Sequence, residues 1–185
     1  DPVAKLPWRR RQFPRAEEAV AVHVLLAEAF RKPGAMLLAG DRLALAAGLL
    51  VRREHARAEL ARKLAPYAES VEEVDILLND LTARRLLSDA RYVEARVGAR
   101  RARFGDARLA FELRTQGVAD ELVDAALAGG EDELTRARQI WEKKFAGKPC
   151  AGDAHERARQ SRFLMSRGFS AETVRRVLRG DFEDD

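Results

Sequence analysis

The feature that most constrains the fold is an internal repeat of about 50 residues. The segment starting at Glu112 matches the segment starting at Phe163 with a constant shift of 51 residues, and an earlier copy matches with a shift of 49. The equivalent positions are Leu64, Leu113 and Leu164; Glu72, Glu121 and Glu172; Val74, Val123 and Val174; and Leu78, Leu127 and Leu178. Repeats of this length stack so that neighbouring copies share a core. We therefore expect three copies in an elongated, curved array.

Each copy is predicted to be helical. Apolar residues recur at i, i+3, i+4 and i+7 in Val74, Leu77, Leu78 and Leu81, which is the spacing of one buried helix face. The composition agrees, because aromatic residues make up only 6% of the chain while strong helix formers are common. A further helix precedes this pattern in each copy, near residues 41–53, 88–103 and 131–145. The sequence therefore predicts an all-α protein with three helices in each repeat.

Serines and glycines mark the helix ends. Ser70 and Glu73 form a capping box, and Ser88 and Ser170 stand at similar helix starts. Three glycines follow helical segments, where a residue in the left-handed conformation commonly ends a helix: Gly105, Gly117 and Gly168.

Proline and charge separate the first residues from the repeats. Four of the six prolines fall within residues 1–40, which also hold more basic than acidic groups. We expect a basic, proline-punctuated arm there, with one helix near residues 15–31. The predicted divisions are this arm (1–40), the three repeats (41–87, 88–130 and 131–180) and an acidic tail (181–185).

Residues 41–180 contain an ordered set of short characteristic segments. They are Arg53-Glu54-His55-Ala56-Arg57-Ala58-Glu59-Leu60 with Lys63-Leu64, Leu87-Ser88-Asp89-Ala90-Arg91-Tyr92, Phe104-Gly105, Glu112-Leu113 with Gly117-Val118, and Arg162-Phe163-Leu164-Met165-Ser166-Arg167-Gly168-Phe169. In this order and at this spacing, the set resembles the RecX family of recombination regulators. One departure is Tyr67-Ala68, which stands where the family usually has a lysine-glycine turn and leaves the helix break to Pro66.

The resemblance implies both a fold and a function. Members of this family are all-α proteins made of tandem three-helix repeats. They are not enzymes. They bind in the groove of the RecA–single-stranded DNA filament, where they limit filament growth and lower its ATPase, strand-exchange and repressor-cleavage activities.

The residues themselves argue against catalysis. His23, His55 and His155 are scattered without metal-ligand or triad spacing, and Cys150 is the only cysteine. His55 is predicted to be structural. No nucleotide-binding glycine motif is present. We expect no cofactor, no metal, no small-molecule substrate, no membrane span, a cytoplasmic location and a monomer.

Arginine is the residue type most suited to a binding role. Arg96, Arg100 and Arg103 are spaced to form one stripe, and we expect Glu94 and Asp106 to be the only carboxylates near enough to offset its charge. A second basic group follows near the end of the chain: Arg157, Arg159, Arg162, Arg167, Arg175, Arg176 and Arg179. Aligned guanidinium groups can bridge successive phosphates. The alternative is a solvated helix face with ion pairs between neighbouring turns.

Two other functions stay open. A helix-turn-helix module would read duplex DNA, but Asn79 is the only asparagine and glutamines are few, which disfavours base readout. A helical scaffold could bind protein alone. The net charge of +4 predicts weak affinity for free single-stranded DNA.

Overall fold

The computed structural model describes residues 39–145 and 153–180. These residues form α-helices and short 3-10 turns, and no strand occurs among them. The described residues divide into two compact units, one of residues 39–55 and 59–87 and the other of residues 56–58, 88–145 and 153–180. The all-α prediction is confirmed. The N-terminal arm, Cys150 and the acidic tail lie outside the described residues.

The described part of the first unit contains three helices: α1 (Ala39–Arg52), α2 (Arg57–Leu64, whose first turn groups with the second unit) and α3 (Val71–Ala83). A 3-10 turn, Ala65–Tyr67, separates α2 from α3 and contains Pro66, as the departure at Tyr67-Ala68 predicted. The core is aliphatic and consists of Leu45, Ala46, Leu49, Leu60, Leu64, Val74, Leu78, Leu81 and Leu87. This unit therefore closes around one leucine-rich cluster.

Buried polar groups also stabilise the first unit. Arg42 donates to the Tyr67 carbonyl oxygen at 3.3 Å and pairs with Glu73 at 3.0 Å, which ties α1 to both ends of the α2–α3 connection. The serine half of the predicted capping box is present, because the Ser70 hydroxyl accepts from the Glu73 amide. The Glu73 carboxylate accepts from the Glu69 amide at 3.0 Å, one residue before the amide that a capping box uses.

His55 lies in the first unit with only 2% of its surface exposed. Its Nδ1 is 3.0 Å from the Arg53 carbonyl oxygen, and its Nε2 is 3.1 Å from Lys63 Nζ. An ammonium group only donates, so Nε2 accepts and the proton of the neutral ring sits on Nδ1. Burial, followed by the charges of Arg53 and Lys63, lowers the pKa of His55 below 6.5. The ring is a structural element, as predicted.

The second unit contains six helices in its described part: α4 (Asp89–Arg100), α5 (Asp106–Thr115), α6 (Asp120–Ala128), α7 (Glu133–Phe145), α8 (Ala154–Ser166) and α9 (Ala171–Arg179). Two apolar clusters hold them. The first consists of Ala56, Tyr92, Val93, Val97, Ala110, Leu113, Val118 and Val123. The second consists of Leu134, Ala137, Trp141, Phe145, Leu164, Phe169, Val174 and Val177.

The repeat alignment agrees with burial. The equivalent leucines Leu64, Leu113 and Leu164 are all at most 1% exposed, and the equivalent valines are at most 4% exposed. Ser88 and Ser170 cap α4 and α9 as predicted. No helix in the described part of the chain is long and apolar enough to cross a bilayer.

The glycine predictions succeed at two positions and fail at one. Gly117 and Gly168 have φ of 80° and 83°, the left-handed conformation expected after a helix. Gly105 has φ of −75° and instead precedes α5 as its N-cap. Its role is close packing, because a Cβ there would lie 2.2 Å from the Gly168 carbonyl oxygen.

Candidate nucleic-acid interface

The predicted stripe Arg96, Arg100 and Arg103 spans the end of α4 and the turn after it. The α-helix ends at Arg100, and Arg103 lies in the 3-10 turn Arg101–Arg103 that follows. Arg96 and Arg100 are partly buried, while Arg103 is exposed. The three side chains nevertheless belong to one surface, because each of them contacts Glu112 or Phe104.

One carboxylate holds that surface together. Glu112 on α5 accepts from Arg96 at 3.4 Å, from Arg100 at 2.8 Å and from Arg108 at 3.3 Å. The expectation that only Glu94 and Asp106 lie near enough to offset the stripe is wrong, because Glu112 pairs with two of its arginines and Asp106 pairs with Arg136 instead. Sequence reasoning missed Glu112 since the contact depends on α4 packing against α5, twelve to sixteen residues apart.

Phe104 forms the apolar floor of this surface. The guanidinium carbons of Arg100 and Arg108 lie 4.5 and 4.7 Å from the centre of its ring, and that of Arg103 lies 5.9 Å away. A guanidinium group above a ring is attracted to the ring face while its N–H donors stay directed outward in its plane. We call Arg96, Arg100, Arg103, Arg108, Glu112 and Phe104 the Phe104 cluster. The cluster contains four guanidinium groups and one carboxylate, which contacts three of them.

Arg136 fixes the backbone beneath the Phe104 cluster. This arginine of α7 is 1% exposed and donates to the carbonyl oxygens of Arg101, at 3.1 Å, and Phe104, at 3.0 Å. It also pairs with Asp106 at 2.6 Å, at the start of α5. A fully buried cation with these partners is structural. The turn that carries Arg103 and Phe104 is thereby clamped in place.

Arg101 is also used internally. Its guanidinium donates to the carbonyl oxygens of Ala126, Leu127 and Gly129, at the end of α6. Carbonyl groups at a helix end lack intrahelical donors and carry partial negative charge. Arg101 therefore provides hydrogen bonds to the carbonyl groups that end α6. The cations of this segment that remain for a partner are those of the Phe104 cluster.

The second predicted basic group divides into separate surfaces. Arg157 and Arg159 are two residues apart on α8 and consequently point to nearly opposite sides of that helix. Arg157, Arg175 and Arg179 line an open groove of about 500 Å³ between α8 and α9. Its remaining lining is mostly small or apolar: Ala154, Ala158, Ser161, Met165, Ala171, Val174 and Leu178.

Arg159 and Arg167 lie over aromatic rings on another side of α8. The Arg167 guanidinium is 4.0 Å from the centre of the Phe163 ring, and that of Arg159 is 5.2 Å from the Phe145 ring. The two rings contact each other edge to face at 5.2 Å. Trp141 and Phe145 are buried core residues.

Ion pairs neutralise part of this second group. Arg159 pairs with Glu156 at 2.7 Å, and hydrogen bonds from Arg159 and Gln160 lower the pKa of Glu156 to about 2. Arg175 pairs with Glu172 on α9. Arg162 is exposed on α8 and Arg176 is half-buried on α9. Arg159 and Arg175 therefore match the alternative to phosphate binding, in which arginines on a solvated helix face form ion pairs with carboxylates on neighbouring turns.

Arg167 is the member of the second group that lies beside the Phe104 cluster. The Gly105 amide donates to the Arg167 carbonyl oxygen at 3.0 Å, and Arg108 donates to the Ser166 carbonyl oxygen at 3.2 Å. These bonds join the start of α5 to the end of α8. The structure thus brings together one end of each predicted basic group, and the groove arginines form a second surface.

No group of histidine, cysteine, aspartate and glutamate side chains in the described ranges could hold a metal ion. The chemistry of the candidate surface is accordingly that of fixed cations over aromatic rings. Such a surface suits phosphate or carboxylate partners.

Comparison with known proteins identifies relatives over most of the chain. Residues 88–127 match the second three-helix domain of RecX, and residues 131–178 match the third. The regulatory protein RecX of Leptothrix cholodnii is 54% identical over 138 residues, which cover 74% of this chain and 87% of that protein. The RecX of Chromobacterium violaceum is 45% identical and covers 77% of this chain and 91% of that protein.

Solved structures share the fold. The crystal structure of RecX from Lactobacillus salivarius superposes with a TM-score of 0.65 at 17% identity, covering 77% of this chain and 96% of that one. A second crystal structure of a regulatory protein RecX gives a TM-score of 0.60 at 19% identity, with 84% of each chain covered. At these identities the likeness concerns the fold.

Proposed function

The chain belongs to the RecX family, and from that premise we propose that it is a non-enzymatic regulator that binds the RecA–single-stranded DNA filament. On this proposal it limits filament growth and lowers the filament's ATPase, strand-exchange and repressor-cleavage activities. It acts in the cytoplasm as a monomer and without a cofactor. The repeats proposed at residues 41–87, 88–130 and 131–180 supply the length needed to contact more than one recombinase subunit.

The Phe104 cluster is the observation that carries this proposal. Its four guanidinium groups share the surface with one carboxylate, which contacts three of them, so the surface keeps a local excess of positive charge although the whole chain has a net charge of only +4. Phosphates are the partner that this excess suits best, because each neutralised phosphate releases condensed counterions. The modest total charge in turn favours binding to DNA that a protein filament already presents.

The groove between α8 and α9 supports a second contact in the same complex. Arg157 and Arg179 flank a mostly apolar floor, which suits an acidic protein surface with apolar side chains. Contacts to DNA through one surface and to protein through the other would clamp neighbouring subunits. Clamping opposes the subunit rearrangements that accompany ATP turnover and assembly, and this is the proposed mechanism of inhibition.

The test is the steady-state ATPase of RecA on single-stranded DNA, titrated with this protein at physiological salt. We expect inhibition well below one protein per recombinase, which favours blocked filament extension. No effect at severalfold excess of folded protein would contradict the proposal.

A set of matched variants assigns the surface. The variant Arg96→Gln/Arg100→Gln/Arg103→Gln should inhibit weakly and lose salt dependence, because phosphate contacts are removed. The control Arg52→Gln/Arg84→Gln/Arg138→Gln removes the same charge from exposed positions elsewhere and should inhibit like the parent. Equal inhibition by both folded variants would remove the Phe104 cluster from the interface. Salt-independent inhibition by the parent would favour a protein-only scaffold.

A further inference from the structure

Phe111 is an aromatic side chain that the fold leaves in solvent. It lies on α5 with 69% of its surface exposed, whereas Leu109, Ala110 and Leu113 of the same helix are buried. The apolar clusters of the second unit do not include it. Packing therefore does not explain a phenylalanine at this position.

The internal repeat shows that the position faces solvent in every copy. The shifts of 49 and 51 residues place Arg62 and Arg162 at the positions equivalent to Phe111. Both arginines are exposed in the structure. The fold thus accepts a charged side chain here, and the second repeat carries an exposed aromatic ring where its neighbours carry cations.

Phe111 borders the Phe104 cluster. Residues three and four apart are surface neighbours on a helix, so Arg108 lies beside Phe111 one turn earlier. At 100° per residue, Arg108 also falls between Phe111 and Glu112 around the axis of α5. The exposed ring therefore lies on the opposite side of Arg108 from Glu112, beside one arginine of the Phe104 cluster.

We propose that Phe111 is a base-stacking platform for single-stranded nucleic acid whose phosphates contact the Phe104 cluster. An exposed ring beside fixed cations matches the way proteins hold single strands without reading their sequence, since every base has a face that can stack on an aromatic ring. This inference rests on the proposed function and adds to it a direct contact with the bases.

The surroundings of Phe111 favour a base over an apolar protein partner. Its surface neighbours on α5 are Ala107, Arg108, Arg114 and Thr115, which provide no contiguous apolar patch. A protein interface of stable size needs a much larger apolar area than one ring. A single base needs only one ring face and nearby cations.

The test measures binding of a fluorescent oligothymidine and of an abasic oligonucleotide of the same length and charge. Phe111→Ala should weaken binding of oligothymidine by about fivefold or more and leave abasic binding unchanged, because only the former can stack. Phe111→Leu, which keeps an apolar side chain without a ring, should behave like Phe111→Ala, and Phe111→Tyr like the parent. Ile76→Ala is the control, since Ile76 is 70% exposed on α3 and is not part of the surface that carries the Phe104 cluster.

The outcomes separate this inference from the proposed function. Equal effects of Phe111→Ala on both oligonucleotides, or no effect on either, overturn stacking. In that case the variant Arg96→Gln/Arg100→Gln/Arg103→Gln is decisive. If it binds both oligonucleotides more weakly than the parent, phosphate contact by the Phe104 cluster stands without base stacking by Phe111. Failure of the parent to bind either oligonucleotide also overturns stacking, and the RecA ATPase titration then decides the proposed function by itself.

Discussion

Among the buried ionisable side chains of the described residues, Arg136 in the second unit and His55 in the first are the least exposed, and they differ in charge state. Arg136 of the second unit is 1% exposed and remains a cation, paired with Asp106 and backbone carbonyl oxygens. His55 of the first unit is 2% exposed and is neutral, accepting from Lys63. Both residues fix the chain beside a helix start, yet only His55 can change its charge near neutral pH.

The difference lies in the partners. Carbonyl and carboxylate oxygens surround Arg136, so a permanent positive charge is required there. Burial disfavours a positive charge on His55, and the charges of Arg53 and Lys63 add to this effect. We infer that the first unit weakens in mild acid as His55 gains a proton, whereas the charge of Arg136 does not change there.

The largest expected effect on stability is that of replacing Arg136. Arg136→Met should lower the free energy of unfolding by about 3–5 kcal/mol, because Asp106 and several carbonyl groups lose their donor. Urea unfolding measures the change. Arg138→Met is the matched control two residues along the same helix, where an exposed ion pair with Glu142 is worth at most about 1 kcal/mol. Similar losses in both variants would show that Arg136 is not the clamp.

A second change tests the close packing that Arg136 supports. Gly105→Ala would place a Cβ 2.2 Å from the Gly168 carbonyl oxygen and should destabilise the second unit by about 1–3 kcal/mol. Gly98→Ala on α4 meets nothing within 4 Å and should stabilise the helix by about 1 kcal/mol. Thermal unfolding of the two variants should therefore shift in opposite directions. A shift in the same direction would contradict the packing argument.

The pH dependence tests the His55 side of the comparison. The folded pKa lies below the unfolded value of about 6.5, so the unfolded chain binds more protons in between. The stabilising contribution is complete above the unfolded pKa and is lost as pH falls through the folded one, with a slope of at most about 1.4 kcal/mol per pH unit. Urea titrations at a series of pH values measure it.

Glutamine provides the control for that titration. His55→Gln keeps a donor and an acceptor but cannot titrate, so the slope near pH 6 should disappear. Glu59 does not contribute in this range. Burial would raise its pKa, but hydrogen bonds from Arg53 and Lys63 lower it to about 2. Persistence of the slope in the glutamine variant would assign it to another group.

The sequence predicts what depends on local spacing. The helices, the serine caps and the left-handed glycines Gly117 and Gly168 follow from periodicity and short motifs, and the structure confirms them. Gly105 was predicted wrongly because a glycine after a helix looks the same whether it ends that helix or lets two backbones meet. Only the close packing of the Gly168 backbone against Gly105 distinguishes these two roles, and Gly168 lies far along the chain.

The candidate surface was predictable in part for the same reason. The spacing of Arg96 and Arg100 predicts a shared face, but their partner Glu112 comes from another helix. Arg136 gave no signal, because a buried arginine and a solvated one have the same sequence pattern on α7. Phe111 could have been found from the repeat alone, since an aromatic residue replaces arginine at an aligned position.

The smallest expected effect on stability concerns Glu112, the carboxylate at the centre of the Phe104 cluster. Glu112→Gln removes the charge that Arg96, Arg100 and Arg108 share, and the cost should stay within about 1 kcal/mol because these arginines are partly exposed. Binding should respond more than folding does. Affinity for oligothymidine should rise at low salt with a steeper salt dependence, since three cations lose their internal partner.

The direction of that change distinguishes two roles for Glu112. If the carboxylate mainly neutralises the arginines, its removal frees them for phosphates, and the variant binds more tightly. If it mainly orients them above Phe104, its removal lets them move, and the variant binds more weakly at every salt concentration. We expect the first outcome, because Phe104 holds Arg100 and Arg108 within 4.7 Å of its ring independently of the carboxylate. In addition, Arg136 donates a hydrogen bond to the Phe104 carbonyl oxygen and so holds the backbone of Phe104 in place.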